Sequence, residues 1–279
     1  MNAPYRGMDQ ASLDAGYNNS AAVQNSTALM AEFDILSEQM RGQAEARIGL
    51  RYGPAPRQLI DYFPAAKPGP LLVFIHGGYW QMRSKDSFSF IAQGLHEHGM
   101  HVALVGYTLA PNISIAGIVS EVNAAIAWLA ANASNFGGDP SCILLSGWSA
   151  GAHLTAMCMD APGVIAGLAI SGIYDLEPVR LSYLNTKLGL QVEDVPAISP
   201  ITLRQSPKPM LIAYGQSELP ELQRQSQAFH AARVAAGMPG VLLALPDLNH
   251  FTILRELSHA QGALALAAKD ICVASTAQI

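Results

Sequence analysis

The sequence predicts an α/β fold: a mostly parallel central sheet with helices on both faces and an N-terminal helical arm. Three observations predict it. Leu71-Leu72-Val73-Phe74-Ile75 is a continuous apolar run, the mark of a strand buried on both of its faces. Beyond it, strand-like and helix-like stretches alternate toward the end of the chain. Half of the 279 residues are hydrophobic and 13% are charged, so a large core can form and a disordered chain is excluded.

The elements follow in order. A polar stretch runs to about Gly16 and leads into Tyr17-Asn18-Asn19. Leu29, Met30, Phe33, Leu36 and Met40 recur at helical spacing and predict an amphipathic helix over 27–47. The arm and its helix thus occupy 1–46. Residues 48–52 and 58–63 read as strands joined by the turn Gly53-Pro54-Ala55-Pro56. The apolar strand 71–75 ends in His76-Gly77-Gly78-Tyr79-Trp80. A helix over 88–98 is closed by Gly99, and a strand covers 101–105. A long helix over 115–132 stops at the turn Gly137-Gly138-Asp139-Pro140. Cys142-Ile143-Leu144-Leu145 reads as a buried strand, and 152–159 as a helix of small residues. A strand over 164–170 precedes 175–209, an irregular, proline-rich excursion above the sheet near the active site. Strand 210–214, helix 221–236, strand 241–245 and a closing helix from Ser258 complete the pattern. No internal repeat divides the chain, which reads as one domain over 1–279.

Composition narrows the function classes. A net charge of −5 leaves no basic footprint, which argues against nucleic acid as a partner. Cys142, Cys158 and Cys272 are an odd count without paired spacing, and two lie on core elements, so buried, reduced thiols are expected. The first twenty residues lack a cationic start followed by an apolar run, and no apolar stretch reads as long enough to span a bilayer. The expectation is a cytoplasmic protein without a membrane partner, its assembly open to a homodimer. His96-Glu97-His98-Gly99-Met100-His101 has the composition of a metal site. The zinc-protease spacing would require histidine at position 100, which is methionine, so a structural role is expected, with no metal and no cofactor.

The chemistry centres on Gly147-Trp148-Ser149-Ala150-Gly151, the pattern of a nucleophile elbow, set between an apolar strand and a helix. A serine hydroxyl is a poor nucleophile at neutral pH and needs a base, which in turn needs an orienting acid. In an α/β-hydrolase these follow in the order serine, acid, histidine. Of the histidines after Ser149, only His250 sits in a loop just past the last strand; His153, His230 and His259 fall within helices. Glu218, three residues past Gly215, is the preferred acid. Glu221, as a helix-start carboxylate, and Asp175, after the preceding strand, remain open, and Asp247 lies too near His250 along the chain. Backbone donors for an oxyanion are expected from Ala150 and from the His76-Gly77-Gly78-Tyr79 loop, Gly78 and Tyr79 in particular, with His76 bracing that loop. Trp80 and Trp148 flank these motifs, and Tyr17 and Phe251 are placed to close over them, so the four are expected to line an aryl-binding cleft.

Together, His76-Gly77-Gly78-Tyr79-Trp80, Gly147 to Leu154, Ser171-Gly172-Ile173-Tyr174-Asp175-Leu176-Glu177-Pro178 and Asn249-His250-Phe251 resemble the kynurenine formamidases, or arylformamidases. These are α/β-hydrolases that release formate from N-formylkynurenine. Gly215-Gln216-Ser217-Glu218-Leu219-Pro220-Glu221 looks like that family's acid-bearing loop, which places the acid at Glu218, and Tyr17-Asn18-Asn19 looks like its N-terminal arm. The likeness runs over nearly the whole chain. Two departures stand out: Trp148 where the family usually carries histidine, and glutamate where aspartate is more common. The resemblance implies a serine hydrolase acting on N-formyl aryl amides, with tryptophan catabolism as its setting. An esterase for small aryl or alkyl esters would use the same machinery, and a silent hydrolase fold serving as a ligand-binding module is the third reading.

Overall fold

The structure, a computed structural model, describes residues 5–276. Eight strands form one sheet in the order β1-β2-β4-β3-β5-β6-β7-β8. They are β1 (Arg47–Arg51), β2 (Leu59–Phe63), β3 (Gly69–Ile75), β4 (His101–Val105), β5 (Gly138–Trp148), β6 (Val164–Ile170), β7 (Met210–Gly215) and β8 (Gly240–Leu245). Only β2 runs antiparallel to its neighbours; every pairing from β4 through β8 is parallel.

The apolar run of β3 shows why the sheet is covered twice. Successive side chains of a strand point to opposite faces. Leu71, Val73 and Ile75 belong to one buried cluster, while Leu72 and Phe74 belong to the other. Helices α1 (Gln10–Gly16), α2 (Asn19–Ala22) and α3 (Ser26–Arg41) form the arm. The short α4 (Ala92–His96) is followed by α5 (Ile115–Asn132) and by α6 (Ala150–Met157), which leaves β5. Between β6 and β7 lie α7 (Glu177–Leu181), α8 (Asn185–Leu188) and α9 (Val195–Ile198), so the proline-rich excursion consists of single helical turns. Then come α10 (Pro220–Ala235), α11 (Arg255–Ser258) and α12 (Ala263–Thr276).

Several boundaries differ from expectation for physical reasons. The arm is helical before Gly16, because Asp9 accepts a hydrogen bond from the Ser12 N–H and caps α1. Helix α3 stops at Arg41 rather than running to 47. Arg41 bonds Asp61, which is fully buried on β2 and also pairs with Lys85 at 2.7 Å, and this fastens the arm to the sheet. The helix expected over 88–98 is a 3-10 segment, Lys85–Ile91, followed by α4. Phe88, Ser89, Phe90 and Ile91 are all buried, so no single apolar stripe was there to be read. One stretch, Ile115–Phe136, is long and apolar enough to cross a membrane by length and hydropathy alone, contrary to the sequence reading. Its Ile118, Val122, Ala125, Ile126 and Leu129 pack into the core cluster on one face of the sheet.

Candidate active site

The C-terminal ends of five strands converge on one spot, where strand order turns back between β3, β4 and β5. Ser149 follows β5, His76 follows β3, Ser171 follows β6, Glu218 follows β7 and His250 follows β8. Ser149 has φ 58° and ψ −118°, a conformation rarely adopted by a residue with a side chain. The surrounding structure holds it there. Its N–H donates to the Ile170 carbonyl at 2.8 Å. A Cβ on Gly147 would collide with the Gly151 carbonyl, and one on Gly151 would collide with that of Ile75. The two glycines therefore let helix α6 start hard against β3 with the serine at its head.

His250 Nδ1 lies 3.1 Å from Glu218 Oε2, and both side chains are buried. The other carboxylate oxygen, Oε1, accepts from Ser171 Oγ at 2.6 Å and from the Gly215 N–H at 2.7 Å. The alternative acids are engaged elsewhere. Glu221 pairs with Arg224 at 2.8 Å, and Asp175 accepts from the Tyr5 hydroxyl at 2.9 Å. The structure thus brings Glu218, and neither of the others, to His250. No hydrogen bond joins Ser149 Oγ to His250 among the described residues; the two meet across the same cleft.

That cleft measures about 30 Å³ and is lined by Asn19, Ser20, Gly78, Tyr79, Met82, Arg83, Trp148, Ser149, His250 and Phe251. Larger hollows lie elsewhere. A groove of about 550 Å³ between β8 and α12 is walled by apolar side chains with Asp270 as its one charged residue. It offers no nucleophile beside a base. At the cleft, Gly78 has φ 112° and is followed by Tyr79 and Trp80 at 49° and 59°. The N–H groups of Gly78 and Tyr79 carry no hydrogen bond among the described residues, and that of Ala150, first in its helix, has no intrahelical acceptor. Three backbone donors are thus left around the serine.

Trp148 and Phe251 line the cleft as expected, but two aromatics do not. The left-handed backbone at Tyr79 and Trp80 turns the Trp80 indole into the core, where its N–H donates to His153 Nδ1 at 3.2 Å. Tyr17 is also fully buried away from the cleft. Its carbonyl accepts from the Tyr79 hydroxyl at 2.5 Å, and its own hydroxyl meets Gln225 and Glu221. Both therefore shape the loop from behind and do not line the cleft. Sequence reasoning missed Asn19, Ser20, Met82, Arg83 and Ser171. Only Asn19 and Ser171 stood inside quoted motifs, and neither carries a residue type that signals a role by itself.

Trp148 has a second function in the geometry. Its indole N–H donates to the backbone carbonyl of His250 at 2.7 Å, and the two rings pack with centroids 4.8 Å apart. Trp148→Phe keeps an aromatic wall but removes the donor, so the His250 loop loses its tether. Misplacing a base by a fraction of an ångström is costly, so kcat should fall by about tenfold with a smaller change in KM. Steady-state kinetics on the purified variant check this.

Two histidines nearby are structural. His76 stacks on Tyr107 with centroids 4.3 Å apart, and its Nδ1–H donates to the Gly77 carbonyl, so it braces the loop. His153 Nε2–H donates to the Ile198 carbonyl at 2.7 Å. Burial holds both neutral, with pKa values pushed down to about 3 for His76 and about 4 for His153. An unfolded chain regains ordinary imidazoles near ~6.5, so it takes up protons first as pH falls. Stability from these groups is therefore full above about pH 6.5 and drains below it, by about 1.4 kcal/mol per pH unit for each histidine. Urea midpoints at about pH 7.5 and about pH 5 should show the loss, and His153→Gln should flatten the slope.

Comparison with known proteins bears on what this arrangement does. A family model described as BD-FAE matches residues 62–161. The chain is 30% identical over 245 residues to a kynurenine formamidase of Danio rerio, covering 79% of this chain and 80% of that one. A kynurenine formamidase of Salmo salar is 30% identical over 239 residues with the same coverage. Among solved structures, a Silicibacter sp. TM1040 protein provisionally assigned as a thioesterase has a TM-score of 0.81 at 27% identity, covering 91% of this chain and 97% of that one.

Proposed function

The chain belongs to the kynurenine formamidase family of α/β-hydrolases, and from that premise we infer that it cleaves an N-formyl aryl amide of the N-formylkynurenine type to formate and an aryl amine. The observation that carries the reading is the Glu218–His250 contact beside an elbow serine. Ser149 Oγ attacks the formyl carbon while His250 Nε2 takes its proton. Glu218 accepts the Nδ1–H and stabilises the imidazolium that results. The N–H groups of Gly78, Tyr79 and Ala150 meet the oxyanion. Collapse breaks the C–N bond, and His250 returns the proton to the departing amine. Water, deprotonated by the same histidine, then releases formate from the formyl-enzyme and restores the serine.

The cleft supports a very small acyl group. A volume of 30 Å³ holds about one water-sized group, far below that of an ordinary ligand pocket, so the aryl half must lie toward the rim. Assays of the purified protein on N-formylkynurenine beside aryl esters of rising acyl length test this. The kcat/KM should be higher for the formamide and should fall steeply beyond acetyl. Preference for longer acyl esters, with the formamide inert, would instead make the protein a carboxylesterase.

A further inference from the structure

We infer that Arg83 and Asn19 form a recognition subsite at the mouth of the Ser149 cleft, for a substrate whose aryl half carries a carboxylate together with an N–H or ammonium donor. The inference rests on the hydrolase reading above and deepens it by assigning the group that is recognised beyond the scissile bond. Around the cleft, Ser149, His250, Gly78 and Tyr79 are occupied with the reacting carbonyl, and Trp148 and Phe251 are apolar walls. Asn19 and Arg83 hold polar capacity that this chemistry does not use.

Asn19 is 5% exposed, and its Nδ2 donates to the Tyr79 hydroxyl at 3.0 Å. The amide cannot be turned round. Burial keeps the Tyr79 phenol protonated, and its one proton is committed to the Tyr17 carbonyl at 2.5 Å, so that oxygen can only accept from Asn19. The chain of bonds leaves Asn19 Oδ1 buried and without a partner, on a residue that lines the cleft. Buried acceptors are normally satisfied, and a donor on a bound ligand would satisfy this one.

Arg83 is half-buried at φ 77°, with its Cγ lying 2.8 Å from where a Cβ on Gly78 would stand. Its stem therefore runs over the glycine expected to donate to the oxyanion. Among the described residues, its guanidinium makes no hydrogen bond and no ion pair, whereas Arg41, Arg180, Arg224 and Arg255 each hold a carboxylate. Asp34 is the nearby acid whose field acts on it, from beyond ion-pair range. A planar fork of N–H donors, partly desolvated beside a reactive cleft, suits a carboxylate bound through two parallel hydrogen bonds. A carboxylate and a nitrogen donor on one short arm are the two ends of an α-amino acid. Asn19 and Arg83 line the same cleft as Ser149, so a substrate held there by its formyl group would present such an arm to them.

The test uses the full chain and four substrates: an aryl formamide and an aryl acetate, each with and without an α-amino-acid arm. For each pair, kcat/KM of the armed substrate is divided by that of the neutral one. Wild type should favour the armed member. Arg83→Met should lower the ratio by about tenfold or more, chiefly through KM, because it deletes a charge-assisted pair. Arg83→Lys should restore part of it, and Asn19→Leu should lower it less. Arg83→Gln substitutes should Arg83→Met fail to fold. A wild-type ratio at or below one, or a ratio unmoved by Arg83→Met and Arg83→Gln, overturns the subsite. If both formamides are inert while the acetates turn over, the formamidase reading fails, and the acetate pair still decides the subsite by the same ratio.

Discussion

Ser149→Ala should lower formate release by about three to six orders of magnitude while the fold is retained, since the members of such a triad act as a unit. The alanine keeps the Cβ, so the φ of 58° costs it no more than it costs serine, and the Ile170 hydrogen bond to its N–H survives. What remains is the contribution of the backbone donors and of binding. Rate measurements with circular dichroism on the same preparation decide the matter. A folded variant retaining most of its activity would remove Ser149 from the mechanism.

Glu218→Gln should cost about a thousandfold or more in kcat, and the geometry says how. Ser171 Oγ and the Gly215 N–H both donate to Oε1, so the glutamine must turn its oxygen toward them. Its NH2 then faces His250 Nδ1 and demands an acceptor there. That drives the imidazole proton to Nε2 and removes the lone pair that should meet the serine. Glu221→Gln weakens a pair with Arg224 and a contact with the Tyr17 hydroxyl at the start of α10, and Asp175→Asn weakens bonds from Tyr5 and the Glu177 N–H, so both should fall within about tenfold of wild type. A larger loss in either than in Glu218→Gln would move the acid.

How far the sequence could be read depended on how local each signal was. The sheet was legible because β3 to β7 are largely buried and read as apolar runs, while the edge strand β8, half exposed, is marked by its own short apolar run after Gly240. The elbow was legible because Gly-x-Ser-x-Gly is required by a contact between α6 and β3 that admits no side chain. His250 followed from chain order, and Glu218 from the loop after β7. Trp80 and Tyr17 were misplaced because motif position fixes neighbours along the chain and not the direction of a side chain, which two consecutive positive φ values reversed at Trp80. Asn19, Arg83 and Ser171 were invisible for a different reason: their importance arises from partners 60, 5 and 47 positions away or from having none. Arg57, which donates to two backbone carbonyls, has the same residue type as Arg83 and an unrelated use.

Hydrolysis of the formyl amide is assigned to one serine, Ser149. That assignment is met most directly by titrating the protein with a fluorophosphonate while following both formate release and the intact mass. One adduct per chain should form, located by peptide mapping on the segment containing Ser149, with activity lost in proportion to labelling and N-formylkynurenine slowing the reaction. Complete labelling at Ser149 with formate release undiminished, or complete loss of activity with the label elsewhere, would contradict it.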